Sequence, residues 1–329
     1  MPPVRVSVVI PVYNAARHLR ACLDSVLCQT LREMEVICID DGSTDASAMI
    51  LLEFAAKDPR VKTVSQANAG QGAARNRGLA IASGDFVYCV DADDEIAEGD
   101  ALERLVNEAE RDRLDALFFD AETCVDEGLS VPPSVVRAED YIRTRDYSGV
   151  HAGRALFARF LSNREYTVSP CLVLLRRAFL ETGGIRFPEE RIFYEDNIFM
   201  TRVLLAAARA GHRPWRLYRR KVHAGSTVTS APTMRHLLGY LACYRDADAL
   251  LSRGGWDRRT RAVLRERRRV YKLHVRRLAG QVEMDAAARA MLAPVLRYPI
   301  GEKVVNAFHC LSERGLAFTL RRILFGRQS

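Results

Sequence analysis

Val6-Ser7-Val8-Val9-Ile10, followed by Pro11-Val12-Tyr13-Asn14, decides the fold class. The run is continuous and largely β-branched, so it reads as a strand buried on both faces, ended by Pro11. Glu35 to Ile39 forms a second such strand and Asp85 to Val90 a third. Between the first two, Leu19, Cys22, Leu23, Val26 and Leu27 fall at helical spacing, and Ala46 to Ala56 is again helical. Strands alternating with helices of this length require right-handed crossovers. They predict an α/β chain with a mainly parallel sheet flanked by helices.

In such a sheet the ligand crevice lies at the carboxyl ends of the strands. Here those ends are polar: Pro11-Val12-Tyr13-Asn14, then Asp40-Asp41-Gly42-Ser43-Thr44-Asp45, then Asp91-Ala92-Asp93-Asp94. Each has a plainer reading. Asp-Gly-Ser-Thr-Asp suits a turn and a helix cap, and Asp91 with Asp93 suits a solvated loop. Their placement directly behind buried strands favours one acidic rim, where hard oxygen ligands suit Mg²⁺ or Mn²⁺ beside a diphosphate.

Taken in order, Val-Ser-Val-Val-Ile-Pro-Val-Tyr-Asn, Asp-Asp-Gly-Ser-Thr-Asp, Ala-Arg-Asn-Arg-Gly-Leu and Asp-Ala-Asp-Asp resemble the family-two glycosyltransferases of the GT-A fold. The likeness is close over roughly the first 100 residues and returns near 190–230. It implies an inverting transfer from a nucleotide sugar, usually a UDP-sugar, with Mn²⁺ or Mg²⁺. By that resemblance Pro11, Tyr13 and Asn14 line the base and ribose pocket, Asp41 accepts a hydrogen bond from the uracil, and Asp40 supports the loop. Asn68 and Arg75 are the nucleotide contacts of the 66–76 segment, although Arg75 also fits an ion pair with a sheet-edge carboxylate. In the Asp91-Ala92-Asp93 triplet, Asp91 is assigned to the ribose and Asp93 to the metal, while Asp94 supports the loop, touches the sugar or is solvated.

Inversion by direct displacement needs a base for the acceptor hydroxyl. Tyr194-Glu195-Asp196 resembles the family motif in which the Asp is that base and the Glu contacts acceptor or sugar; both acids also suit a helix N-terminus on their own. Tyr218 to Ser226 resembles the segment that closes over the diphosphate. There His223 is implied to complete the metal coordination, Arg219, Arg220 or Lys221 to neutralise phosphate, and Ser226 to join the donor site.

Composition agrees with a globular protein: 329 residues, 48% hydrophobic and 27% charged. Eight cysteines without a CxxC pair read as reduced core residues rather than zinc ligands or disulfides. With no secretory signal and no apolar run of about 18 residues, a cytoplasmic protein is expected. The net charge of +8 is concentrated in residues 251–300, which hold 13 Lys/Arg against 4 Asp/Glu. We therefore expect a catalytic domain over 1–230 and a basic helical extension over 231–329. Basic Arg253 to Arg277 and the apolar-basic end Leu316 to Phe325 suit either an anionic inner-membrane surface or a solvated helical face. Nucleic acid is a poorer fit, because no binding motif interleaves aromatics with the charge. Acceptor-facing loops are expected between Asp120 and Tyr166, and the acceptor is expected to be a glycan or lipid-linked. Two other classes fit less well. A nucleotidyltransferase lacks its glycine-rich, lysine-containing signature here, and a non-catalytic binding module would not keep both the Asp91–Asp93 pair and Glu195-Asp196.

Overall fold

A computed structural model describes residues 3–126, 129, 141–223 and 231–296. In chain order the elements are β1 (Val6–Val12), α1 (Leu19–Leu27), β2 (Met34–Asp40), α2 (Ser47–Lys57), β3 (Val61–Ser65), α3 (Gln71–Ile81), β4 (Phe86–Cys89), β5 (Glu95–Ile96) and α4 (Ala101–Arg111). They continue as β6 (Ala116–Val125), α5 (Gly153–Ser162), β7 (Val173–Arg176), α6 (Arg177–Thr182), α7 (Glu195–Ala206), β8 (Ala210–Val222), α8 (Met234–Arg253), α9 (Arg258–Ala279) and α10 (Ala286–Leu296).

The strands form one sheet in the order β3-β2-β1-β4-β7-β6-β8-β5. β3, β2, β1 and β4 run parallel, which sends the ends of β1, β2 and β4 to one rim. Beyond β4 the sheet becomes mixed, with β7 antiparallel to both β4 and β6, β8 parallel to β6, and β5 antiparallel to β8. Every residue of β1 and β2 is buried, as continuous apolar runs under helices on both faces require.

Two local expectations change. β1 does not stop at Pro11; it runs on to Val12, with Pro11 opposite Ile39 of β2. The ladder with β4 reaches only Val9 and Cys89, so the N–H that proline lacks falls beyond the last bond on that side. The sheet also gains β3, an outer strand whose mixed burial leaves no clear periodic pattern in the chain. Of the described cysteines, Cys22, Cys38, Cys89, Cys171 and Cys243 are buried, Cys28 is exposed and Cys124 half-buried.

The C-terminal helices attach more closely than a loose extension. Leu250 of α8 with Val263 and Leu264 of α9 join the main core. Arg267 of α9 is buried between the rings of Tyr166 and Tyr271, and donates to Asn197 Oδ1 at 2.9 Å, in the first turn of α7. Closest of all is Gly239 of α8, where an added Cβ would lie 2.1 Å from the carbonyl oxygen of Phe193. Gly239→Ala must therefore push α8 away from the turn that opens α7. It should lower stability by about 1–3 kcal/mol, read as a fall in the denaturant midpoint. No helix among the described residues is long and apolar enough to cross a membrane.

Candidate active site

Two cavities open at the rim of β1, β2 and β4. The first, about 500 Å³, is lined by Pro11, Tyr13, Asn14, Asp41, Asn68, Ala92, Asp93 and His223, which brings most of the residues expected at the donor site together. Tyr13 is half exposed over it. Asn14 lines it from a left-handed backbone, φ 48°. Its Oδ1 accepts the Thr44 N–H at 2.8 Å, and its own N–H reaches Ser43 Oγ, so it joins the ends of β1 and β2. Asp40 accepts the Ser43 N–H at 3.0 Å and supports that turn. Asp41 is buried, with Oδ1 taking Gln66 Nε2 and the Ala69 N–H and Oδ2 the Gly70 N–H, each at 2.8 Å. It thus shapes the 66–70 loop from the cavity wall. Asp45, one residue ahead of the α2 N-cap Ala46, accepts the Ser47 N–H on Oδ1.

Asp93 Oδ2 lies 2.9 Å from His223 Nε2, and the His18 ring is 4.7 Å from that of His223. A carboxylate oxygen and an imidazole nitrogen at one cavity wall fit Mn²⁺, and Mg²⁺ through the oxygen. No group of three His, Cys, Asp or Glu among the described residues converges as a metal cluster, so the remaining positions would fall to phosphate oxygens and water. Asp94 turns inward, accepting Tyr218 Oη at 2.8 Å and the Lys221 N–H at 2.7 Å. Burial first, then Asp93 and Asp91, push its pKa well above the carboxylate range. It therefore supports the loop rather than facing solvent.

The expected phosphate cations divide. Lys221 pairs with Glu95, and Arg219 with Glu122 at 2.7 Å and Glu95 at 3.2 Å, so both charges are engaged within the sheet. Arg220 instead lines the second cavity. Ser226 lies outside the described residues, as does the stretch Leu316 to Phe325.

Arg75 lies buried under the carboxylates of the second cavity. Its side chain is 0% exposed, and it donates to Asp91 Oδ1 at 2.8 Å, Asp196 Oδ1 at 2.7 Å and Glu195 Oε1 at 3.1 Å. The guanidinium sits 5.2 Å from the Phe187 ring centre. This geometry corrects the nucleotide contact expected for Arg75: a fully buried group has no face on the donor cavity, and its charge is needed by three carboxylates. Lysine keeps that charge but loses the fork. Arg75→Lys should cost about 2 kcal/mol of stability, visible in chemical denaturation. Gln71, which the sequence reading did not single out, donates to the same Asp91 oxygen at 2.9 Å and lines both cavities. His18 and Phe193 are likewise site residues without a motif, and Tyr218, the first residue of the Tyr218–Ser226 segment, lines the second cavity.

The second cavity, about 810 Å³, holds Asp91, Glu195 and Asp196 at one end and Tyr166, Phe193, Tyr194 and Tyr240 along its wall. Glu195 and Asp196 open α7 behind Tyr194, whose φ of 66° is left-handed, a strain held by the packing of α8. Burial, then the charge of Asp196, raises the Glu195 pKa to about 8 against the opposing pull of Arg75. Burial also raises the Asp196 pKa, opposed by Arg75 and aided by Asp91. Asp196 Oδ2 makes no hydrogen bond among the described residues, leaving it open to a proton.

The raised pKa of Glu195 has a stability signature. The folded chain holds this proton where the unfolded chain releases it, so the contribution is full below the ordinary value of 4.5 and is lost as pH rises through about 8. Glu195→Gln mimics the protonated form. It should match the wild-type melting temperature near about pH 5 and exceed it at alkaline pH; a gap independent of pH would contradict the assignment.

Residues 7–183 match the family model Glycosyl transferase family 2. The chain belongs to this family. Among its relatives are the glycosyltransferase YibD of Escherichia coli, 34% identical over 67% of this chain and 62% of that protein, and EpsH of Bacillus subtilis, 32% identical over 68% and 62%. The chain thus spans about 62% of the length of these relatives. In fold it is similar to S. aureus TarS 1-349, solved with UDP-GlcNAc: TM-score 0.61, 22% identity, 91% of this chain and 77% of that one. The mannosyltransferase PcManGT of Pyrobaculum calidifontis, solved with GDP-Man and Mn²⁺, has a TM-score of 0.53 at 18% identity, covering 94% and 81%. The family match ends before α7, so Glu195, Asp196 and His223 stand on geometry and on the sequence resemblance.

Proposed function

We infer that this family-two chain is an inverting glycosyltransferase that moves a sugar from a nucleoside diphosphate, a UDP-sugar by preference, to a hydroxyl of a glycan or lipid-linked acceptor in cell-surface polysaccharide synthesis. The observation that carries this reading is the pair of cavities sharing Gln71 and Phe193, one with the Asp93–His223 pair and the other with Glu195 and Asp196. In it the nucleotide rests between Tyr13 and Asn68, with Asp41 beside the base. Asp93 and His223 hold the divalent cation, which when bound offsets the negative charge of the departing diphosphate.

Asp196 takes the acceptor hydroxyl proton on Oδ2 while Arg75 fixes Oδ1, and a raised pKa makes it a stronger acceptor of that proton. The acceptor oxygen bonds to the anomeric carbon as the bond from that carbon to the diphosphate breaks, so the configuration inverts. Glu195, protonated near neutral pH, is a hydrogen-bond donor to the sugar or acceptor. Residues 1–230 carry the donor-site and catalytic side chains, and the basic portion from 231 adds Tyr240 of α8 to the cavity wall. Arg258, Arg259, Arg261 and Arg265, exposed on α9, suit the anionic inner face of the cell membrane.

A thermal-shift screen of nucleotide sugars with and without Mn²⁺ tests the reading, because a ligand bound only by the folded state raises stability by RT ln(1 + [L]/Kd). A UDP-sugar should raise the midpoint only with the metal present. The absence of any shift across UDP-, GDP- and dTDP-sugars would reject it.

A further inference from the structure

The larger cavity carries two cations that the transfer chemistry leaves without a task. Arg164 follows α5 in a left-handed backbone, φ 60°, and its exposed side chain lines the cavity. Arg220, near the end of β8, lines it from another element, its guanidinium 4.7 Å from the Tyr141 ring centre. Among the described residues neither guanidinium makes an ion pair or a hydrogen bond, whereas the neighbouring cations Arg75, Arg219 and Lys221 are all bound to carboxylates.

Apart from the open Asp196 Oδ2, the carboxylates of the cavity already have partners among the described residues. Glu165 accepts Thr144 Oγ1 at 2.6 Å and Tyr147 Oη at 2.7 Å, while Asp91, Glu195 and Asp196 converge on Arg75. Two guanidiniums from separate elements therefore border the cavity without an ion-pair partner among the described residues. Their planar forks match phosphate and carboxylate oxygens, and a neutral ligand would leave both unused. The left-handed backbone at Arg164 is the αL cap that ends α5, with the Arg164 N–H bonded to Leu161 O and the Glu165 N–H to Phe160 O, and it places the Arg164 side chain at the cavity edge.

We propose that this cavity receives an acceptor bearing an anionic group, phosphate or carboxylate, held by Arg164 and Arg220. The claim rests on reading the cavity as the acceptor side of the glycosyltransferase. Arg220 then serves the acceptor rather than the donor diphosphate, and the sugar ring of the acceptor lies against the wall made by Tyr194 and Tyr240, whose rings are 4.0 Å apart. The acceptor is accordingly an acidic glycan or a phosphate-linked chain, and a neutral oligosaccharide is a poor substitute.

The test uses the whole chain saturated with UDP and Mn²⁺, so that the donor diphosphate site is already filled. Glycerol 1-phosphate, glucuronic acid and neutral methyl glucoside are titrated by saturation-transfer NMR. At least one anionic probe should bind about tenfold or more tighter than methyl glucoside. Arg164→Gln and Arg220→Gln should each weaken that probe by about tenfold while UDP affinity, measured separately, stays unchanged and reports the fold. Preference for glycerol 1-phosphate assigns a phosphate-bearing acceptor; preference for glucuronic acid assigns an acidic sugar. Anionic binding that is absent, that methyl glucoside equals, or that neither substitution weakens overturns the proposal. So does a loss of UDP affinity on Arg220→Gln, which would return that residue to the donor. Failure of UDP to bind the wild-type chain is a different result: it removes the glycosyltransferase reading itself, and this inference with it.

Discussion

Asp196→Asn should cut transfer by about 10³–10⁴-fold while leaving UDP affinity unchanged within about twofold. The substitution keeps the shape of the side chain and an oxygen for Arg75, whose bond to Asp196 Oδ1 is 2.7 Å, so the start of α7 should hold its place. What disappears is the basic oxygen facing the cavity. A second consequence distinguishes this loss from general damage. The charge of Asp196 is one cause of the raised Glu195 pKa, so its removal should move that group down, and the alkaline loss of stability should begin at lower pH. Both are read from one set of variants, by single-turnover sugar transfer and by melting temperature against pH. Transfer within tenfold of wild type would remove Asp196 as the base.

The other large effect is expected at Asp93. Asp93→Ala deletes the carboxylate that stands 2.9 Å from His223 and leaves the imidazole as the one remaining member of the pair. Charge offset at a leaving diphosphate is worth several kcal/mol, so transfer should fall by on the order of 10³-fold. The apparent affinity for Mn²⁺ in the presence of UDP should fall with it, as measured by electron paramagnetic resonance of the free ion. Asp93 is partly exposed and supports no buried network, so the melting temperature without ligand should barely move. Arg75→Lys should behave in the opposite way, with a clear stability cost because three carboxylates share that one guanidinium.

The parallel half of the sheet was legible because β1, β2 and β4 are buried on both faces and leave continuous apolar runs in the chain. β3 was not, since an outer strand of mixed, non-alternating burial carries little periodic signal over five residues. At the site, short motifs located Asp41, Asp93, Glu195 and Asp196, whose neighbours in sequence are also neighbours in space. Arg75 was found by its motif but given the wrong surroundings. Its three carboxylates come from the end of β4 and the start of α7, up to 121 residues away, and a linear pattern does not encode that convergence. Gln71 and His18 escaped for the same reason. So did the absence of an ion pair for Arg164 and Arg220 among the described residues, which is visible only once the partners of Arg219 and Lys221 are known.

The central claim is that the smaller cavity binds a nucleoside diphosphate through a cation held at Asp93. Titration calorimetry of UDP into the wild-type chain, first with Mn²⁺ and then with the metal chelated, measures it directly. Saturable one-to-one binding that weakens by about tenfold or more on chelation, and that Asp93→Ala weakens to the same degree, is the expected result. UDP binding of equal strength with and without the metal would contradict the claim, as would no binding at all.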